Sequence, residues 1–143
     1  MTPENEISKE TRQQLLNVRT VMLRLHKTLL DFEREGYERD HGKIASSYEL
    51  LNLVMNDPWF AWLRQLSELI VEIDELLAAK EIPNENTAQA LIRHASILLT
   101  PSDSGSEFQR KYFGAMQQSP EVVLAHSDFS KLLGPARLSK EIH

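Results

Sequence analysis

DPWFAWLRQLSELIVEIDELL, residues Asp57–Leu77, decides the fold class of this 143-residue chain. Pro58 pushes Asp57 out of the helical region and suits a first helical position, where a missing N–H costs nothing. The Asp57 carboxylate caps free N–H groups and complements the helix dipole. From there Trp59, Leu63, Leu66, Ile70, Ile73 and Leu77 recur in steps of three and four, with Trp62, Leu69 and Leu76 on a flank. That spacing predicts one amphipathic α-helix from Pro58 to Lys80. On an α-helix Phe60 points roughly 100° from Trp59. The three aromatics therefore do not enter one core together, and Phe60 or Trp62 is expected near a second surface.

Working toward the N-terminus, Leu15, Val18, Met22, Leu25, Leu29 and Phe32 mark one face of a long helix, Lys9 to Arg39. Asp40–Lys43 is the first break, with Gly42 able to adopt a left-handed turn. Ser46 and Glu49 have capping-box spacing ahead of a short helix, Ser47 to Asn56. Its polar residues Glu49, Asn52 and Asn56 make one narrow stripe, and Tyr48, Leu50, Leu51, Leu53, Val54 and Met55 cover the rest. A helix apolar on most sides is either the filling of a bundle or a contact surface for another chain.

Toward the C-terminus, Ile82–Asn86 reads as a loop in which Asn86 and Gln89 offer a cap. Ala88, Leu91, Ala95, Leu98 and Leu99 give the next helix its face. TPSDSGSE, Thr100–Glu107, is the stretch with loop composition. Ser106 caps a helix carrying Phe108, Tyr112 and Met116. Ser119-Pro120-Glu121 starts a last helix with Val122, Phe129, Leu132 and Leu133, and Gly134-Pro135 is its predicted stop. The expectation is an all-α compact bundle of four main helices plus one or two short ones. Residues 1–135 form its single domain and 136–143 a flexible tail. Helix Lys9–Arg39 and helix Pro58–Lys80 form its antiparallel spine.

Composition narrows function mainly by exclusion. Twenty-one acidic against sixteen basic residues, net −5, give no basic surface for nucleic acid. No cysteine is present, which removes thiolate catalysis, disulfides and cysteine-ligated metals. The polar N-terminus lacks a signal-peptide pattern, and no apolar run reaches the roughly 20 residues of a membrane span. A cytoplasmic protein is expected.

Chemistry-bearing constellations are weak. Glu38 and His41 have Glu-x-x-His spacing, yet a di-iron bundle needs two such pairs with inward glutamates. Met22 and His26 are four apart, but Met22 already belongs to the apolar seam. His94 and His126 read as semi-buried histidines. Asp74 borders the seam of its helix, and an arginine from the first helix is its expected partner. Neither a nucleophile elbow nor a phosphate-binding glycine loop occurs. No cofactor, metal or catalytic set is expected.

The string LHKTLLDFEREGYERDHGKIASSYELLNLVMNDPWFAWLRQLSELIVEIDE, with SPEVVLAHSDFSKLL at Ser119–Leu133, resembles an uncharacterised family of small bacterial proteins built around a DPWFAWLR segment. That resemblance implies a bacterial, mostly helical, cytoplasmic protein and carries no activity or site residue. The expected function is a non-enzymatic interaction or regulatory bundle, a homodimer or a binder of another protein, without nucleic acid or membrane partners. Its candidate interface or pocket residues are Trp59, Phe60, Trp62, Tyr48, Leu51 and Met55. A small-ligand or metal-binding bundle, with a pocket near Trp59 and Trp62 and polar groups from His26, Asp74 or His94, is the alternative.

Overall fold

The computed structural model describes residues 6–79 and 84–142, and the side chains of these up to Leu133. It is all-α. The helices are α1 (Lys9–His41), α2 (Ser47–Asn56), α3 (Arg64–Ala78), α4 (Glu85–Leu98), α5 (Glu107–Gln118) and α6 (Pro120–Ile142). A 3₁₀ segment, Pro58–Leu63, leads into α3.

The long α1 is the element on which α3, α4, α6 and the 3₁₀ segment all rest. Its seam, Leu15, Val18, Met22, Leu25 and Leu29, is fully buried. Leu63, Leu66, Leu69 and Ile73 meet it from one side, Ala88 and Ala95 from α4, and Val122 and Phe129 from α6. Three polar contacts fix the α1 register against α3 and the 3₁₀ segment that leads into it. Arg19 pairs with Asp74, His26 Nε2 meets Ser67 Oγ at 2.8 Å, and the Trp59 indole N–H donates to the Glu33 carbonyl at 3.1 Å. As α1 numbers rise the partner numbers fall, so the two run antiparallel, as the spine predicted from sequence required. The arginine partner expected for Asp74 is Arg19 of α1.

Caps appear where the side chains permit them. Ser8 accepts from the Thr11 N–H, Ser46 from Glu49, and Asp57 from Trp59. Ser106 and Gln109 make a reciprocal capping box. The cap of α4 is Asn84, which accepts from Asn86 and Thr87, two residues earlier than the Asn86 cap expected. Thr11, buried beneath the α1 N-terminus, donates to Glu85 at 2.7 Å and accepts from Gln89 at 3.1 Å. The Thr11 hydroxyl, the Ser8 N–H and the Gln89 amide, which also donates to Glu85 at 3.0 Å, together hold the Glu85 carboxyl below its ordinary value.

Two expectations need correction and one is narrowed. The segment after Pro58 begins as 3₁₀ helix, and α-helix starts only at Arg64. Of the two places open to the second helix, the bundle centre is excluded: the helix has no buried residue and lies outside, against the 3₁₀ segment. The last helix runs through Gly134-Pro135 to Ile142 instead of stopping. A proline deletes one N–H donor, here the one that would reach the Lys131 carbonyl, and the turns on either side keep theirs. Lys80 and Ile82–Pro83 of the predicted helix end and loop lie outside the described residues.

Gly42 closes α1 with φ 91° and ψ 169°, donating its N–H to the Glu38 carbonyl. That region of backbone space belongs essentially to glycine. Gly42→Ala is expected to destabilise the protein by about 1–3 kcal/mol in urea unfolding. An unchanged midpoint would show that the α1 end does not hold this conformation in solution.

Candidate interaction surface

The candidate residues separate into buried, exposed and intermediate positions. Phe60 and Trp62 are in the core, 1% and 6% exposed, while Tyr48, Leu51 and Met55 are 81%, 57% and 61% exposed. The expectation that Phe60 or Trp62 would face a second surface is corrected, and the reason is the 3₁₀ geometry. At three residues per turn, side chains at i and i+3 eclipse. Phe60 and Leu63 share one direction into the core, and Trp59 and Trp62 share another, beside Glu33. A single α-helical seam cannot sort the residues in this way.

Trp59 is the half-exposed member. Its indole lies over Gly36 of α1, where an added Cβ would come within 3.2 Å of the ring. It also contacts Tyr37 and His41 edge-on, with ring centroids 5.9 and 5.7 Å apart. His41, considered from sequence for metal binding, stacks on Tyr37 at 4.5 Å. Burial raises the Glu33 carboxyl above its ordinary value, opposed by the Lys111 charge and the N–H groups of Trp59 and Trp62. Neither Gly36 nor Glu33 stands out in the sequence, because a glycine within a helix and a glutamate among charges carry no periodic signal.

The outward side of α2 is different in kind. Tyr48, Leu51 and Met55 follow one another at spacings of three and four, the pattern of a coiled-coil contact stripe. On the opposite side Leu50, Leu53 and Val54 are half-buried against the core. Other exposed large apolar residues are spread over α1, α3, α4 and α6. An open depression of about 520 Å³ at the α5–α6 corner, with Met116, Pro120, Val123 and Leu124 in its lining, is a second apolar area.

The polar groups expected to serve a ligand, His26, Asp74 and His94, do not converge on the tryptophans. His26 is occupied by Ser67, Asp74 by Arg19, and His94 is exposed on α4 rather than semi-buried. The hollow beside Trp62, lined by Ala61, Gln65, Glu107 and Phe108, measures about 180 Å³. Ligand pockets usually span roughly 300–1,000 Å³. A cleft of about 390 Å³ between α1 and the α5–α6 corner presents Asp31, Glu35, Arg39 and Glu121 over Phe32. Among the described residues no three His, Asp or Glu side chains are grouped to hold a metal ion. Among them too, no helix is long and apolar enough to cross a membrane.

A second polar string escaped the sequence reading. Tyr112 of α5 and His126 of α6 lie 2.6 Å apart, Oη to Nδ1, and His126 Nε2 is 3.2 Å from Ser130 Oγ. Burial pushes the Tyr112 phenol up and the His126 imidazole down. His126 and Ser130 are four apart on one helix, but nothing in the chain links them to Tyr112.

No protein-family model matches this chain, and neither does any curated protein or solved structure.

Burial also lowers His26, so both half-buried histidines resist protonation in the fold. Above the ordinary value of 6.5 both states are neutral and no stability depends on them. As pH falls below it, the unfolded chain binds protons first, and stability is lost progressively down through the lowered folded values. The urea midpoint is expected to drop between about pH 7.5 and 5.5. The His26→Gln/His126→Gln double variant should flatten that slope; an equal slope would remove the histidines as its cause. Separately, Gly36→Val drives methyl groups into the Trp59 ring. It should destabilise by about 1–3 kcal/mol and shift tryptophan fluorescence, whereas a neutral effect would show that the indole does not occupy this notch.

Proposed function

We propose that this protein is a non-enzymatic interaction or regulatory module that self-associates through α2. The observation that carries the reading is the Tyr48–Leu51–Met55 stripe, projecting into solvent from a helix with no buried residue. Contiguous apolar surface of this kind marks contact sites on soluble proteins, and large aromatics such as Tyr48 are favoured anchors. A second copy of the chain is the partner that fits. Ser47 and Asn52 flank the stripe without charge, so two copies, each of net charge −5, can meet there without burying like charges. Antiparallel packing of α2 on its symmetry mate also sets opposite helix-dipole ends together.

A cytoplasmic protein of bacterial type, with neither nucleic acid nor membrane as partner, belongs to the same reading. The absence of cysteine and the acidic balance support it. The small-ligand alternative draws less support, since the hollow at Trp62 is small and His26 and Asp74 are already paired.

Sedimentation equilibrium at micromolar concentration tests the proposal. The unaltered chain is expected to form a dimer, and Leu51→Glu to shift it to monomer by placing two carboxylates in the contact. Circular dichroism should be unchanged, because Leu51 supports no buried contact of the core. A strict monomer, or a dimer untouched by Leu51→Glu, would refute it.

A further inference from the structure

We propose that Trp62, Phe108, Tyr112 and His126 form a proton-coupled electron-transfer string that makes Tyr112 a one-electron redox residue. Rings in contact lead from the surface to the core. Trp62 borders the hollow at Ala61, Gln65 and Glu107. Its ring centroid is 5.2 Å from that of Phe108, and Phe108 is 5.7 Å from Tyr112. Tyr112 is fully buried, so its phenoxyl radical would be shielded from collision with solutes. The 2.6 Å contact to His126 Nδ1 supplies a proton acceptor, and Ser130, which is exposed, connects Nε2 to solvent. Proton transfer requires this reach, roughly 2.6–3.2 Å between heavy atoms. A chain without cysteine has indole, phenol and thioether groups as its readily oxidised side chains.

The oxidant is a diffusible oxyl radical arriving at the Trp62 edge. It takes one electron from the indole and leaves as its anion. Tyr112 then returns one electron to the indole radical cation through Phe108, which is not itself oxidised. In the same step the phenolic O–H bond breaks and its proton passes to His126 Nδ1. The products are a neutral tyrosyl radical and an imidazolium, which releases its Nε2 proton toward Ser130 and solvent. Indole and imidazole are both restored to neutral form, and one electron and one proton have left Tyr112.

Photogenerated tris-bipyridyl ruthenium(III) serves as the oxidant in the test. The protein carries Tyr37→Phe and Tyr48→Phe, which leaves Tyr112 as its one tyrosine. Tyr37 packs at the edge of the core and Tyr48 stands in the α2 stripe; each keeps its ring as Phe, and circular dichroism with sedimentation checks fold and association. Electron paramagnetic resonance is expected to show a tyrosyl signal that Tyr112→Phe abolishes and Trp62→Phe reduces several-fold. Formation of that signal should slow in deuterated water, a readout that needs no substitution in the string. His126→Gln should lower its yield. Absence of a tyrosyl signal from the folded protein would overturn the proposal. So would a yield insensitive to Trp62→Phe, or a rate indifferent to deuterium.

Discussion

Register between α1 and its antiparallel neighbour is the constraint from which the rest of the bundle follows. Apolar seams alone slide easily, because one leucine replaces another at the next turn with little change in buried area. Here Arg19, His26 and Glu33, each seven residues from the last, meet Asp74, Ser67 and Trp59 along one edge of the seam. A shift by one turn would break all three contacts together and leave the ring N–H of Trp59 and the His26–Ser67 pair, the more buried of these groups, without partners, at about 1–3 kcal/mol for each unsatisfied group. The Arg19–Asp74 pair is partly exposed, so its value lies mainly in specifying this alignment rather than in net stability. With α1 aligned, α4 and α6 have one way to cover its remaining faces.

The change of helical pitch at Pro58–Leu63 is the second organising feature. A tighter turn sorts a sequence that reads as overcrowded, sending Phe60 and Leu63 inward and both tryptophans toward Glu33. It also breaks the even step of the partner residues. Asp74 and Ser67 are seven apart, but Ser67 and Trp59 are eight. The Gly36 notch on α1 receives the displaced indole, so a local irregularity on one helix is matched by a missing side chain on the other.

Much of the architecture was legible because it depends on periodicity and capping. The α1 seam, the Ser46 and Ser106 caps, the Asp57-Pro58 boundary and the need of Asp74 for an arginine are all local or nearly local signals. The departures have a common physical origin in packing between distant segments. Whether PWFAWL forms α or 3₁₀ helix depends on what its aromatics meet, and the sequence pattern of the segment fits both. The exposure of α2 was equally hidden, since an apolar helix looks the same whether covered by its own chain or by another. Of the candidate residues, Tyr48, Leu51 and Met55 lie at the surface. Phe60 and Trp62 serve the interior, and Trp59 stands between.

The peripheral seat of α2 sets it apart energetically from the rest of the bundle. It is bounded by Gly42 and Pro58, contributes no buried residue, and rests mainly on the 3₁₀ segment. A unit with so few buried contacts opens at a free energy well below that of global unfolding. Its amides should therefore exchange with solvent long before those of α1, whose seam is sealed. The same separation uncouples this helix from the framework. Substitutions on its outer side leave the pinned core untouched, so they change what the helix meets without changing the fold.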